Sequence, residues 1–204
     1  MSLIITVNRQ FGSGGRELGK RLAENLGIAY YDNEIITELS KRSGLAVEYV
    51  NSIVEHKPIV YYPITIGRSF LSNVPAPVDM NEGLYKEQHA LIKDLAKEND
   101  CVIIGRCADY ILEDRKPFRI FVYADTESKL ARCRLKADGL EKMTEKQLLR
   151  HISEIDRERA KYYRYFSGRK WDDPGHYDLM INTSSLDIKN LARGLADSLS
   201  VYKT

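Results

Sequence analysis

A glycine-rich stretch near the start of the chain has the residue types of a phosphate-binding loop. It lies within TVNRQFGSGGRELGKRLAENLG, residues 6–27, between an apolar run and a helix-forming run. Successive backbone N–H groups at the start of a helix, together with the helix dipole, form an anion site, and missing side chains let phosphate oxygens approach. The residues predicted to bind phosphate are Gly12, Ser13, Gly14, Gly15, Arg16 and Glu17.

A dinucleotide-binding loop is the alternative for the same stretch. The fingerprint GxGxxG is satisfied at Gly12 and Gly14, but its third glycine position holds Glu17. A carboxylate at that position would lie near the pyrophosphate, which weakens this interpretation. Its support is Asp32, which follows the loop at about the distance of a ribose-binding acid. A dinucleotide-binding oxidoreductase is therefore the less favoured alternative.

Basic residues recur at two further places. Arg106 directly follows the apolar run CVIIG, and an arginine at the carboxyl end of a core strand is positioned to meet a ligand. The stretch RHISEIDRERAKYYRYFSGRK has basic residues on one helix face, namely Arg150, Arg157, Lys161 and Arg164. Such a face is either solvated or binds a phosphate-rich partner. The many tyrosines of this stretch, unusual for an exposed helix, favour the partner.

Alternating strand and helix patterns must position these residues. Short apolar runs predict strands at 3–7, 28–32, 101–105, 119–124 and 179–183. Amphipathic patterns predict helices at 16–26, 33–43, 46–56, 82–98, 144–165 and 187–202. Residues 56–83 have no clear period and are predicted to be irregular, with one short helix at 66–72.

This alternation predicts an α/β fold with a mostly parallel central sheet and helices on both faces. In such folds, ligands bind beyond the carboxyl ends of the strands. The segment 12–16 and Arg106 fall at that edge, and so does Asn182 near the end of the last predicted strand.

Length and composition limit the class of protein. The 204 residues fit one domain, 1–204, and 31 basic against 29 acidic residues give a net charge of +2, so no overall field attracts nucleic acid or a membrane. No apolar run approaches the ~20 residues that span a bilayer. Three cysteines without zinc-site spacing indicate a reducing compartment, so we expect a cytoplasmic protein. The four histidines have no ligand spacing, and no metal cluster is predicted.

Several segments together resemble the cytidylate kinase-like branch of the P-loop nucleoside monophosphate kinases. They are FGSGGRE, YYD, VIIGR, RIFVYADTESKLARCR and DLMINTSSLDI, and the likeness extends over nearly the whole chain. The resemblance implies the P-loop kinase fold, ATP and Mg²⁺, and small nucleotide substrates. It also implies a helical acceptor-binding region at 33–99 and a basic lid at 144–176.

The glycine-rich loop matches the phosphate loop of the family only in part. When GSG is laid on the family's loop without gaps, the loop lysine falls on Gly15, its first glycine on Arg9 and a hydroxyl position on Glu17. A shift of one residue puts Arg16 in the lysine's place, and an arginine can contact phosphate oxygens through two donors. Arg9 is the second candidate for that role.

The acceptor and lid patterns are also partly matched. Arg106 matches the arginine of the family's Gly-Arg-Asp segment, whereas Cys107 replaces the aspartate and Asp109 follows two residues late. In the lid, Asp156 and Arg159 match the family pattern. Other lid positions depart from it, namely Ile152, Ser153 and Ile155. These mismatches predict an acceptor other than CMP.

The predicted activity is therefore ATP- and Mg²⁺-dependent phosphoryl transfer to a nucleoside monophosphate or a similar small phosphate-bearing molecule. Loop amides and Arg16 would hold the donor phosphates. The acceptor would meet Asp32, Arg106, Asp109 and Asp156. The transferring group would meet Arg157, Arg159 and Lys161. The alternative is a nucleotide-binding regulatory protein that kept the fold and lost the chemistry, which the absent lysine favours.

Overall fold

The central strand of the sheet is a fully buried run of mostly β-branched residues, β1 (Ile4–Arg9). The structure is a computed structural model that describes residues 2–44, 47, 77–136 and 142–201. Within these residues, β1 lies between two other strands and pairs in parallel with both. Its carboxyl end, which leads into the glycine-rich loop, therefore lies in the middle of the sheet edge.

Four more strands complete the sheet in the described part of the chain. They are β2 (Ala29–Tyr31), β3 (Cys101–Ile104), β4 (Phe118–Tyr123) and β5 (Leu179–Asn182). The strand order is β2-β3-β1-β4-β5, and every pairing is parallel. The predicted parallel α/β sheet is confirmed, so all five carboxyl ends meet at one edge.

Helices follow the strands along the chain. They are α1 (Gly15–Leu26), α2 (Asn33–Ser43), α3 (Pro77–Glu98), α4 (Ala108–Ile111), α5 (Thr126–Lys136), α6 (Glu145–Ser167) and α7 (Ile188–Ser200). Short 3₁₀ turns lie at Glu113–Arg115 and Pro174–His176. Helix α6 begins at a capping box, in which the Thr144 hydroxyl accepts from the Gln147 N–H and the Gln147 side chain accepts from the Thr144 N–H. No described helix combines the length and apolarity needed to cross a bilayer.

The helices bury apolar residues on both faces of the sheet. One cluster joins α1 and α7 to the sheet, for example through Leu22, Val102 and Ala192. The other joins α2, α3, α4 and α6 to the opposite face and contains Ile103 and Tyr163. Because neighbouring residues of a strand point to opposite faces, Val102 and Ile103 belong to different clusters. Helix α6, predicted as a basic lid, is thus also part of the core.

Several element boundaries differ from the prediction, among them those of β1 and α3, and one region lies outside the described residues. Strand β1 extends two residues beyond the predicted end at Val7, because Asn8 and Arg9 still pair with β4. Helix α3 begins at Pro77, inside the segment predicted to be irregular, and proline suits the first turn of a helix. The predicted helices at 46–56 and 66–72 lie outside the described residues, apart from residue 47.

An ion pair between Arg119 of β4 and Asp178, the residue before β5, joins the two strands at the amino end of the sheet. The Asp178 carboxylate accepts from Arg119 Nε at 3.1 Å, from Nη2 at 2.9 Å and from the Arg119 backbone N–H at 2.8 Å. These hydrogen bonds favour the charged carboxylate and lower the pKa of Asp178.

We expect Asp178→Asn to lower the free energy of unfolding by about 1 kcal/mol at pH 7, because two charge-assisted bonds are lost at a partly exposed site. Since the folded-state pKa is depressed below its ordinary 3.8, the contribution is present above pH 3.8 and is lost as pH falls through the lowered value. Urea unfolding at pH 7 and at about pH 3 measures both effects. The exposed Asp197→Asn is the control, and an equal loss at both pH values would contradict the assignment.

Candidate active site

The glycine-rich loop, residues 10–14, connects β1 to α1. Gly12 (φ 74°) and Gly14 (φ 80°) have left-handed backbone conformations, which favour glycine, and Gly14 immediately precedes the helix. The Ser13 hydroxyl turns inward and donates to the Gln10 carbonyl at 2.8 Å. The same hydroxyl oxygen accepts from the Gly15 N–H at 3.4 Å, so the Ser13 side chain shapes both the loop and the start of α1.

Three side chains from distant parts of the chain hold the loop. Asp156 on α6 accepts from the Phe11 N–H at 2.6 Å and from Lys129 Nζ at 3.2 Å. Thr183, just after β5, donates to the Ser13 carbonyl at 2.7 Å. Arg132 on α5 donates to the Thr183 carbonyl at 2.6 Å and to the Ser13 carbonyl at 3.4 Å. The loop is thereby fixed in shape without a ligand.

Arg9 ends β1 and lies directly beneath the loop. Its side chain is buried, with the residue 8% exposed. A Cβ atom added to Gly15 would come within 2.5 Å of Arg9 Cβ, and one added to Gly105 would overlap Arg9 Nη1. Its Nη2 lies 3.9 Å from Asp32 Oδ1. Arg9 therefore runs from the start of α1 toward the carboxyl ends of β2 and β3.

Arg16 lies on the outer side of the same edge. Its Nε is 2.5 Å from Asp32 Oδ2, and Nη2 is 3.5 Å from Asn33 Oδ1. The side chain is 54% exposed. Glu17, in the first turn of α1, pairs with Arg21 Nε at 2.9 Å, and its charge suits the amino end of the helix dipole. Asp32 is thus shared between Arg9 and Arg16.

Arg106 follows β3 in an unusual backbone run. Gly105, Arg106 and Cys107 have φ values of 66°, 60° and 54°, so three consecutive residues are left-handed. Non-glycine residues pay about 1–2 kcal/mol each in this region, and such strain persists where surrounding structure holds it, often at functional sites. Gln88 Nε2 donates to the Arg106 carbonyl at 3.0 Å, and the Tyr162 hydroxyl donates to Gln88 Oε1 at 3.2 Å.

Two adjoining cavities lie at this edge of the sheet. The loop cavity, about 210 Å³, is lined by Arg9, Gln10, Phe11, Gly12, Gly14, Gly15, Arg16 and Arg159. The inner cavity, about 30 Å³, is lined by Asn8, Arg9, Gly105, Arg106, Cys107, Arg159, Tyr162, Tyr163 and Trp171. Arg9 and Arg159 line both. Arg159 also donates to the Arg9 carbonyl at 3.2 Å, so it closes the boundary between the two spaces.

Several predicted site residues lie outside these two cavities. Asp109 is buried and accepts from the Tyr163 hydroxyl at 2.7 Å, and burial raises the pKa of its carboxyl group. Asp156 holds the loop. The side chains of Arg157 and Lys161 are 60% and 49% exposed. Arg157 Nε lies 3.7 Å and Lys161 Nζ 3.2 Å from Glu158 Oε1. Within the predicted lid, the arginine that reaches the cavities is Arg159.

Other lining and supporting residues were not predicted from the sequence. Asn8, Tyr162, Tyr163 and Trp171 line the inner cavity. Their side chains meet only after α6 packs on the sheet, so no local pattern indicates them. Thr183 has one signal in the sequence, because it is the last residue of the strand predicted at 179–183 and so lies at the carboxyl edge of the sheet. Cys107 also lines the inner cavity, but burial raises the pKa of its thiol well above the ordinary value, which keeps it protonated and inert.

One carboxylate at this edge, shared with two arginines, is of the type that holds Mg²⁺ with few other protein ligands. The described residues contain no cluster of three or more His, Cys, Asp or Glu side chains suited to a metal. Mg²⁺, however, is commonly held by one or two carboxylates together with substrate phosphates and water. Asp32 Oδ1 is buried and accepts no hydrogen bond from the described residues. Asp32 therefore has the type and position of a single carboxylate ligand beside the loop.

Comparison with known proteins gives a family and curated relatives. The model of the cytidylate kinase-like family matches residues 4–185. The cytidylate kinase of Methanopyrus kandleri is 23% identical over 194 residues, covering 90% of this chain and 86% of that protein. The cytidylate kinase of Pyrococcus horikoshii is 26% identical over 183 residues, covering 89% of this chain and 80% of that protein.

Solved structures share the fold. An uncharacterized protein from Eubacterium ventriosum matches with a TM-score of 0.69 and 24% identity, covering 98% of this chain and 99% of that one. Shikimate kinase from Bacteroides thetaiotaomicron matches with a TM-score of 0.58 and 15% identity, covering 97% and 98% of the two chains. The P-loop kinase fold expected from the sequence is confirmed.

The contact between Asp156 and the loop can be tested by substitution. We expect Asp156→Ala to lower the free energy of unfolding by about 1–3 kcal/mol and to speed hydrogen exchange at the Phe11 amide, because that N–H loses a charged acceptor. Asp156→Asn keeps an oxygen at the position and serves as the matched control, with a smaller effect on both quantities. Unchanged exchange at Phe11 in the alanine variant would show that Asp156 does not hold the loop.

Proposed function

The chain belongs to the cytidylate kinase-like family, and we propose that it transfers the γ-phosphoryl group of ATP to a small acceptor that carries a phosphate or similar anionic group. Family membership and the kinase fold support a nucleotide or small-molecule kinase at this general level, with the ATP and Mg²⁺ that such kinases use. A dinucleotide-binding oxidoreductase receives no support from the family. The specific acceptor and the residue roles are part of the proposal.

The observation that carries the proposal is the convergence of three arginines on the two adjoining cavities. Arg9 comes from β1, Arg106 from the turn after β3 and Arg159 from α6. Phosphoryl transfer spreads negative charge over the oxygens of the moving group, so catalysis depends mainly on positioning and on fixed positive charge. Cations fixed between a phosphate loop and a neighbouring cavity meet that requirement.

The donor side consists of the loop. The amides of residues 12–15 and of the first turn of α1, which includes Arg16 and Glu17, would hold the ATP phosphates. Asp32 would hold Mg²⁺, which supplies charge neutralisation between phosphate oxygens when bound. Arg132 and Asp156 keep the loop in shape from outside, through their hydrogen bonds to loop carbonyl and amide groups.

The acceptor side would adjoin the inner cavity, which at about 30 Å³ has room for no more than the anionic end of the acceptor. An anionic oxygen of the acceptor attacks the γ-phosphorus while the bond from that phosphorus to the bridging oxygen breaks, so the phosphoryl group moves and ADP leaves. Arg106 would hold the acceptor anion, and Arg159, at the boundary of the cavities, would face the moving group. Asp109 acts through Tyr163, and Arg157 and Lys161 hold Glu158 on the neighbouring face of α6.

The acceptor is proposed to differ from CMP. Ile152, at a position where the cytidylate kinase pattern has a polar residue, is buried in an apolar cluster with Leu148 and Cys133. Cys107 is likewise buried in place of an aspartate. A base is selected by polar groups that would be left unpaired with the wrong partner, so the loss of such groups costs base selectivity more than phosphate affinity.

A coupled ADP-release assay tests the function. CMP, dCMP, UMP, AMP and non-nucleotide phosphate acceptors are offered with ATP and Mg²⁺, and we expect turnover with at least one acceptor but not efficient turnover with CMP. A kcat/KM for CMP of roughly 10⁴ M⁻¹s⁻¹ or more would contradict the proposed acceptor class. ATP binding without turnover on any acceptor would favour the regulatory, binding-only alternative.

The role of Arg106 is tested in the same assay. We expect Arg106→Ala to raise KM for the acceptor by roughly tenfold or more while the affinity for ATP changes little, because the arginine faces the inner cavity. The control is Arg115→Ala, an exposed arginine before the amino end of β4. A loss of ATP affinity with an unchanged acceptor KM would move Arg106 to the donor side.

A further inference from the structure

An ordinary phosphate loop has a glycine at the position of Arg9 and a lysine at the position of Gly15. We infer that in this chain the small residue and the cation have exchanged places, so that Arg9 supplies the positive charge of the missing lysine. This inference rests on the proposed function, because it names the residue that contacts the donor phosphates in that same site. The ordinary pattern is GxxxxGK[ST], whose lysine reaches the β- and γ-phosphates. Laid on residues 9–16, its first glycine falls on Arg9 and its lysine on Gly15.

Gly15 has no room for a side chain as long as Arg9 is present. A Cβ on Gly15 would lie 2.5 Å from Arg9 Cβ, 3.1 Å from Arg9 Cγ and 3.1 Å from Val122 Cβ. The first two carbons of the Arg9 side chain thus occupy the space in which a lysine side chain at position 15 would begin. The backbone cannot move aside easily, because Arg9 pairs with Val122 of β4 and the Gln10 N–H donates to the Val122 carbonyl at 2.9 Å.

The far end of Arg9 lies where a donor phosphate would be contacted. Its guanidinium lies against Gly105, which has no side chain to displace it, and Nη2 is 3.9 Å from Asp32. Arg9 lines the loop cavity with Gly12 and Gly14 and also lines the inner cavity. A planar guanidinium there can donate to two phosphate oxygens at once, which suits a group passing from one cavity to the other.

Arg16 is less suited to the lysine's role. It stands one residue after the lysine position. Its Nε lies 2.5 Å from Asp32, and its side chain is half exposed on the outer side of the edge. The one-residue shift that favours Arg16 from the sequence is therefore not needed, because an arginine already fills the space above Gly15.

A double-substitution experiment tests the exchange. Affinities for ATP and for AMP are measured by calorimetry for the parent chain and for Arg9→Ala, Arg9→Lys, Gly15→Lys and the double variant R9G/G15K, with Arg115→Ala as control and circular dichroism to verify folding. We expect Arg9→Ala to weaken ATP binding roughly tenfold or more, with a much smaller effect on AMP, because the lost contact is to the β- and γ-phosphates. Arg9→Lys retains the charge and is expected to recover part of the loss.

The decisive comparison is between Gly15→Lys and R9G/G15K. The single variant places two side chains in one space and is expected to lose stability and ATP affinity, whereas the double variant restores the ordinary pattern and is expected to recover ATP affinity by roughly tenfold or more over the single variant. No recovery in a folded double variant, or an Arg9→Ala variant that binds ATP like Arg115→Ala, would overturn the exchange while leaving the kinase proposal intact. A parent chain that binds no ATP would overturn both.

Discussion

The buried guanidinium of Arg9 at the carboxyl end of the central strand is the constraint around which the rest of the site is arranged. A charge with so little solvent contact is costly unless other groups compensate it. Asp32 provides a carboxylate 3.9 Å away, and the same carboxylate also pairs with Arg16. Gly15 and Gly105 leave the space that the side chain crosses. Arg159 fixes the Arg9 backbone from α6, so the position of the charge is set from several elements.

The loop above this charge is rigid because its backbone groups are held from outside. The Phe11 N–H and the Ser13 carbonyl are bound by side chains of α6, α5 and the end of β5. These elements are far apart in the sequence, and each makes its contact only when the sheet is complete. Groups oriented in this way need little reorganisation when charge develops in a reaction, which is the main electrostatic advantage of a folded site.

Local chemistry explains which parts of the fold and site could be predicted. The buried strands and the glycine loop depend on residues close in sequence, so their composition was sufficient to predict the parallel sheet and the edge that carries the site. The contacts of Asp156 and Asp109 depend on tertiary packing, because Asp156 meets the Phe11 amide and Asp109 the Tyr163 hydroxyl only when α6 packs on the sheet, so no local pattern predicts them. The sequence left Arg9 and Arg16 as alternatives, because the closeness of Arg9 Cβ to Gly15 arises only when the loop and α1 are folded over the end of β1.

The space shared by positions 9 and 15 also limits how such a loop can evolve. If the ordinary and the exchanged loop have a common ancestor, single substitutions must pass through a form with both long side chains or with neither. The first overlaps, since even a Cβ at position 15 lies 2.5 Å from Arg9 Cβ. The second lacks the cation, and a neighbouring arginine such as Arg159 would have to sustain phosphate binding during the transition. The identities at positions 9 and 15 are therefore expected to be inherited together, with few intermediates among living relatives.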